Sequence, residues 1–293
     1  MAPVGKILRY TFSAGAQFLK AALSGKGLYR YSFRDLWHGA LLSRRGYARV
    51  TAIEKRLGDD GPFVDVDIDG RRVSVLKALF KPGELAWLYQ ETFGEYPSNP
   101  HSYRKGNVVV EPGDLVIDAG ACEGFFVRLA LESRCGHVYA FEPYDPIFQG
   151  LSRTFRGDDR VTVVSSGLSG STGRGRIASG ADYVCEAKID EDGTDEVPLT
   201  TLDAFVRDMG LPRVDFIKMD IEGSEYKAIE GARNVLRKFV PKLAIAVYHE
   251  YEMAEKLKNL ILEINPDYHV EFGGCYMMAE PFRPFLLYAF GRR

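Results

Sequence analysis

The chain has 293 residues, 46% of them hydrophobic and 27% charged, with a net charge of −2. That is the composition of a soluble globular protein, long enough for one large domain or one domain with an appendage. Its four cysteines (Cys122, Cys135, Cys185 and Cys275) contain no C-x-x-C pair, which argues against a zinc knuckle and a secreted disulfide framework and points to a reducing cytoplasm.

The charge is unevenly spread. Residues 1–50 hold nine Lys/Arg against the single acid Asp35, a net +8 that leaves −10 for the rest. Such asymmetry suggests an anionic partner for the N-terminus. Residues 3–24 allow an amphipathic helix, but Arg9, Gln17 and Lys20 interrupt it too often for a bilayer span or the apolar region of a signal peptide. Tyr29 to Tyr47 adds Tyr31, Phe33, Trp37 and the pair Arg44-Arg45. Aromatics interleaved with cations suit helices packed on protein, a subunit contact in a homo-oligomer, or an anionic membrane surface at the inner face of the membrane. No motif that reads nucleic acid accompanies the charge. Residues 1–60 are therefore expected to be a basic, aromatic-rich, mainly helical extension. In residues 61–106, Phe63 to Ala78 forms a hairpin candidate around Asp69-Gly70, Leu85 to Phe93 is helical, and Gly94 to Lys105 is loop.

From residue 107 to 293 strands and helices alternate, which predicts a parallel sheet with helices on both faces. Strands are expected at Leu115–Asp118, Val138–Glu142, Val161–Val164, Val214–Met219 and Leu243–Tyr248. Helices are expected at 124–133, 145–156, 202–209, 224–238 and 252–264. Tyr268–Phe272 and Phe285–Phe290 close the chain as an antiparallel pair at the sheet edge. An insertion at about 169–197, rich in Gly, Ser, Thr and charge with a strand candidate at Tyr183–Ile189, reads either as a lid or substrate loop or as a solvated excursion.

Three stretches carry chemistry. In LVIDAGACEG (115–124) an apolar strand ends in Asp118 and a turn flanked by Gly120 and Gly124, where a ligand can approach the backbone. It is neither G-x-G-x-x-G nor a lysine-bearing P-loop, which excludes a nicotinamide oxidoreductase and a nucleotide hydrolase. An acid at the strand end suits a ligand with a positive amino group, as in S-adenosylmethionine. One strand later, Glu142-Pro143 ends HVYAF, and a carboxylate there can accept from a ribose diol at the sheet's carboxyl edge. In VDFIKMDIEGSE (214–225) a strand delivers Asp220, Glu222 and Glu225 around Gly223, with Ser224 able to cap the next helix. Lys218 shares a strand face with Asp220 and can pair with a carboxylate.

With these residues the chain resembles the FkbM family of S-adenosylmethionine-dependent methyltransferases. The resemblance runs from about Gly113 to Arg292 through VIDAGACEG, AFEP, SSGLSGSTG, LTTLDAF, IKMDIEGSEYKAIEGA and the His249 that ends AIAVYH. It implies a Rossmann-like class I methyltransferase fold, α/β and doubly wound, with a seven-stranded sheet carrying an antiparallel terminal strand. The N-terminal extension and hairpin lie outside it. It implies that Asp118, Gly120, Ala121, Cys122 and Gly124 hold the methionine end of the cofactor. Glu142 with Pro143 would hold the ribose, and Ser166, Gly167 and Leu168 the adenine. Tyr103, in the loop before the first core strand, is a further cofactor candidate.

Asp220, Glu222 and His249, at the ends of adjacent strands, are the candidate catalytic residues. Either His249 is the base, oriented by a carboxylate, or the three bind Mg²⁺ or Mn²⁺ that lowers the pKa of an acceptor hydroxyl; or Glu222 caps the following helix and His249 only fills a strand end. The implied activity is O-methylation of a sugar hydroxyl in a glycan, glycolipid or natural product. A nitrogen acceptor, or a non-catalytic scaffold that keeps the fold, are the alternatives.

Overall fold

A computed structural model of the chain describes residues 29, 31–39, 54–80, 84–177 and 193–292. Ser32 and Asp35 form a reciprocal cap at the start of a short helix over residues 33–39 (α1). The Asp35 N–H donates to Ser32 Oγ at 3.1 Å and the Ser32 N–H to Asp35 Oδ2 at 3.3 Å. The segment docks on the rest of the chain. Tyr96 Oη donates to Asp35 Oδ1 at 2.6 Å, and Tyr29 Oη to the Tyr251 carbonyl at 2.7 Å. Phe33 and Trp37 stack on each other and stay exposed. The helix expected within 3–24 and the Arg44-Arg45 pair lie outside the described residues.

Glu54–Asp60 (β1), Phe63–Ile68 (β2) and Arg71–Leu76 (β3) form a three-stranded antiparallel sheet. The β2–β3 turn is the predicted one: Asp69 and Gly70 both take positive φ, 54° and 82°, as a two-residue hairpin requires. Val64, Val66, Ile68, Val73 and Val75 alternate inward and pack on Leu85 and Phe125. β1 falls where a helical extension was expected. Its residues 55–60 are exposed, so it is held by backbone pairing to β2 rather than by an apolar face. Glu84–Phe93 (α2) follows.

The core elements are Leu115–Ala119 (β4), Phe125–Glu132 (α3), His137–Phe141 (β5), Asp145–Thr154 (α4) and Val161–Val164 (β6). Gly167–Leu168 (β7), Gly173–Ile177 (β8), Asp195–Thr200 (β9), Leu202–Asp208 (α5) and Phe216–Met219 (β10) come next. Glu225–Glu230 (α6), Arg233–Phe239 (α7), Lys242–Ala246 (β11), Met253–Ile264 (α8), Tyr268–Gly273 (β12) and Leu286–Gly291 (β13) complete the chain. The seven-stranded sheet has the order β12-β13-β11-β10-β4-β5-β6. All neighbours from β11 to β6 are parallel, and β13 is antiparallel to both β11 and β12.

Successive residues of the central strands face opposite layers. Val116, Val138 and Phe216 pack with Phe126 and Leu129 of α3, while Ile117, Tyr139 and Ile217 pack with Leu202, Ile229 and Leu257 of α5, α6 and α8. Burial on both faces is why these strands read as unbroken apolar runs.

Two elements differ from expectation. The helix expected over 224–238 breaks into α6 and α7 at Gly231, where a Cβ would lie 2.2 Å from the Ser169 carbonyl. Asp203 of α5 then caps the second piece by accepting from the Asn234 and Val235 N–H groups. The insertion is in part a sheet: β9 pairs with both β7 and β8. The strand candidate Tyr183–Ile189 lies outside the described residues.

Candidate active site

The chain passes from β4 outward to β5 on one side of the sheet and later returns to β10 on the other. Their carboxyl ends therefore flank a topological switch point, where open α/β sheets bind ligands. The turn after β4 needs glycine twice. Gly120 has φ of 75°, and a Cβ there would sit 1.9 Å from the Asp220 carbonyl oxygen. Gly124, with φ of 88°, precedes α3, and its Cβ would meet Phe155 at 2.4 Å. Between them Cys122 is also left-handed, with φ of 51°. The N–H groups of Gly120 and Ala121 donate to the Phe141 carbonyl at 3.1 and 3.0 Å, tying the turn to β5.

Glu142, next after β5, closes the same turn. Its Oε2 accepts from the Cys122 N–H at 3.2 Å and its Oε1 from the Tyr144 N–H at 3.0 Å. Burial pushes the Glu142 carboxyl up to about 7, although the two N–H donors pull the other way. Pro143 behind it is half-buried. Gly167 and Leu168 form β7 with Leu168 in the core, and Ser166 Oγ lies 3.1 Å from the Pro198 carbonyl.

Asp118 takes a position below the turn. It is fully buried, with Oδ1 3.1 Å from Lys218 Nζ. The ammonium also donates to the Gly120 carbonyl at 2.5 Å. Burial raises the Asp118 pKa against the pull of Lys218; for Lys218, burial is outweighed by Asp118 and Asp220, so its pKa rises. The pair forms a charged floor that fixes a turn carbonyl; the carboxylate that Lys218 takes is Asp118, opposite it on β4, rather than Asp220, with which it shares a strand face.

The acids after β10 meet two imidazoles. Ile221 is followed by two left-handed residues, Glu222 at φ 56° and Gly223 at φ 93°. That turn sends Glu225 back inward, where Oε1 accepts from the Ile221 N–H at 2.9 Å. Ser224 precedes α6 without a side-chain cap. His249, just beyond β11, has Nε2 3.2 Å from Glu222 and 3.5 Å from Asp220, and Nδ1 3.3 Å from Glu225. On the other side of Asp220 lies His101, with Nε2 at 3.5 Å; its Nδ1 is 3.0 Å from Glu91. Tyr103 Oη donates to Asp220 Oδ2 at 2.7 Å.

Burial works against charge throughout this cluster, and the neighbours decide the outcome. His101, His249 and Lys218 hold the Asp220 carboxyl well below the usual carboxylate range. Glu91 and Asp220 push His101 up to about 9. Glu222, Glu225 and Asp220 raise His249 well above its ordinary value. Burial raises Glu222 against the pull of His249, with Asp220 adding to the rise.

The expected catalytic residues Asp220, Glu222 and His249 are thus brought together, within reach of the glycine turn through the Gly120–Asp220 contact. Tyr103 joins this cluster through its bond to Asp220. Glu91 and His101 went unrecognised in the sequence: they come from α2 and the loop behind it, far from any motif. Glu225 was visible as an acid near Gly223, but only the left-handed turn shows that it points at His249. Among the described residues, the candidate ligand atoms that gather within 4.8 Å of one another belong to Asp220, Glu225 and His249. Glu222, the third ligand candidate in the sequence, lies 3.2 Å from His249 but outside this group.

A seven-stranded, mostly parallel sheet with a glycine turn after its first core strand and an acid after the next defines a Rossmann-like class I methyltransferase fold. The chain belongs to the FkbM methyltransferase family: the methyltransferase FkbM domain matches residues 118–271. A solved structure of methyltransferase FkbM from Methylobacillus flagellatus KT is 25% identical, with a TM-score of 0.49 over 69% of this chain and 47% of that one. The chain thus spans about half the length of that relative. An rRNA methylase from Streptococcus thermophilus is 15% identical (TM-score 0.40, 63% of this chain and 90% of that one). The M. jannaschii TYW2 structure, a complex with AdoMet, is also 15% identical (TM-score 0.43, 82% and 90%). The comparison with curated proteins returns no match.

Proposed function

We propose that the protein is an S-adenosylmethionine-dependent O-methyltransferase acting on a sugar hydroxyl of a glycan, glycolipid or natural product. The observation that carries the cofactor assignment is Glu142. A carboxylate offers about four acceptor sites, and two are used by the Cys122 and Tyr144 N–H groups. Two remain for a ribose diol, beside a turn whose glycines let its backbone pack tightly on Asp220 and Phe155. Asp118 supports this site from beneath, through Lys218 and the Gly120 carbonyl. Ser166, Gly167 and Leu168 lie after β6, at the same sheet edge, and would line the adenine.

S-adenosylmethionine supplies an activated methyl group, so the residues of this chain have two tasks. They hold the acceptor oxygen in line, and they take its proton. The cluster around Asp220 suits the second task. Glu222 is the most open of its carboxylates, at 23% exposed, and has a raised pKa, so the Glu222–His249 pair receives the hydroxyl proton. Asp220, held ionised between two imidazoles, positions His249. The test is transfer of isotope-labelled methyl from the cofactor to a panel of hydroxyl-rich glycans and glycolipids. Label on a sugar oxygen supports the reading; label only on amine acceptors rejects it.

The N-terminus supports a second, separate role. Phe33 and Trp37 are exposed at 69% and 54% in the segment that carries the positive charge. We propose that this segment lies on an anionic membrane surface and brings the enzyme to a lipid-linked acceptor. Co-sedimentation with anionic vesicles should fall on Phe33→Ser/Trp37→Ser; unchanged binding rejects it. Among the described residues no helix is long and apolar enough to cross a membrane.

A further inference from the structure

Buried imidazoles are ordinarily hydrogen-bonded. Here both ring nitrogens of His249 are buried without a hydrogen bond, as are Asp220 Oδ1 and Glu225 Oε2. The nitrogens lie 3.2–3.5 Å from three carboxylates. Charge-assisted N–H···O bonds close to about 2.7–2.9 Å when the geometry is right. The Nε2 edge of the ring faces Asp220 and Glu222 and the Nδ1 edge faces Glu225, so three carboxylates gather about one imidazole without closing into hydrogen bonds.

The charge there is unbalanced. Four carboxylates (Glu91, Asp220, Glu222 and Glu225) face two imidazoles (His101 and His249), and Asp118 is already matched by Lys218. Even with both rings protonated, two negative charges are left over. Glu225 is fully buried, so water cannot screen its share, and uncompensated buried charge is expensive.

We propose that Asp220, Glu225 and His249 form a binding site for one divalent cation. Their ligand atoms lie within 4.8 Å of one another. Ligands about 2.1 Å from a small cation sit about 3.0 Å apart when adjacent and about 4.2 Å when opposite, so binding draws these side chains together by roughly 1 Å. Two carboxylates and an imidazole, with no thiolate, select Mn²⁺ or Mg²⁺, and the imidazole favours Mn²⁺. The three protein ligands leave positions open. An acceptor hydroxyl that took one would have its pKa lowered; with His249 then a ligand rather than half of the proton-accepting pair, Glu222 alone would take the proton. The catalytic consequence rests on the methyl-transfer reading; the binding site does not.

The experiment uses the full chain without cofactor or acceptor. Titration with Mn²⁺, with free ion followed by electron paramagnetic resonance, should give one saturable site. Glu225→Gln and His249→Asn should each weaken it at least tenfold, while the remote Glu132→Gln leaves it unchanged. No saturable site in the wild type, or a site that survives both substitutions, overturns the proposal. If the variants fail to fold, the wild type still decides. Substoichiometric Mn²⁺ should broaden the ring-proton resonances of His249 before those of His137 and His269, which lie at the amino ends of β5 and β12; uniform broadening overturns it. Because S-adenosylmethionine affinity is measured separately, either reading can fail while the other stands.

Discussion

Tyr103 donates its hydroxyl hydrogen to Oδ2 of Asp220 at 2.7 Å across 117 residues of sequence. The bond joins the loop before the first core strand to the acid that follows β10. Tyr103→Phe removes the donor and leaves a buried carboxylate with one partner fewer. The expected loss is about 1–3 kcal/mol of stability, read from urea denaturation, with methyl transfer reduced more than cofactor affinity. Equal loss of both would mean that Tyr103 serves the cofactor directly.

Gly120 and Gly106 make a matched pair. Both have positive φ, 75° and 55°, but a Cβ at Gly120 meets the Asp220 carbonyl, whereas nothing lies within 4 Å of one at Gly106. Gly106→Ala should therefore cost only about 1–2 kcal/mol, the left-handed penalty alone. Gly120→Ala should cost more and abolish cofactor binding, because two backbones must part. Thermal melts and calorimetry of the two variants check this.

Glu142 makes stability depend on pH. Its folded pKa of about 7 lies above the ordinary 4.5. Its stabilising contribution is thus fully present below about pH 4.5 and is lost as pH rises through 7. The difference is about 3 kcal/mol, since each pKa unit is worth about 1.4 kcal/mol. Glu142→Gln should remove this slope in denaturation measured between pH 5 and 8. Cofactor binding should show the opposite trend. A ribose diol donates to the ionised form, so affinity should rise between pH 6 and 8.

Lys218→Met strands the Asp118 carboxylate in the core. Breaking one side of a buried pair costs about 3–5 kcal/mol. The double variant Lys218→Met/Asp118→Asn should recover most of that stability yet still bind cofactor weakly, because the Gly120 carbonyl has lost its donor. A double-mutant cycle in denaturant, with parallel calorimetry, separates the two effects.

The core was legible where local sequence and tertiary burial agree. The strands β4, β5 and β10 are unbroken apolar runs because both faces are covered, and their terminal acids and glycines stand in fixed spacing. Lys218 was legible as able to pair with a carboxylate, but its partner Asp118 lies across from it on β4, which the two-residue spacing to Asp220 did not name. β1 was not legible: EKRLGDD has no buried face, and only the hydrogen bonds of β2 make it a strand. The break at Gly231 was hidden for a related reason, since the close approach of Ser169 comes from a different part of the chain. Within the site, Glu91 and His101 have no motif around them; His101 reaches Asp220, and Glu91 reaches His101, only through the fold of α2 and its loop. Asp118 was legible as the acid that ends a strand, but its full burial beneath the turn was not, because the elements that cover it come from elsewhere in the chain.

In the proposed function, Glu142 and the Gly120–Gly124 turn bind S-adenosylmethionine. Calorimetric titration of the wild type and Glu142→Ala tests it most directly. The wild type should bind at micromolar concentration and the variant at least tenfold more weakly, the two hydrogen bonds to a charged carboxylate being worth about 1.5–3 kcal/mol each. Absence of binding to a folded wild-type protein, or equal affinity in both, would contradict it.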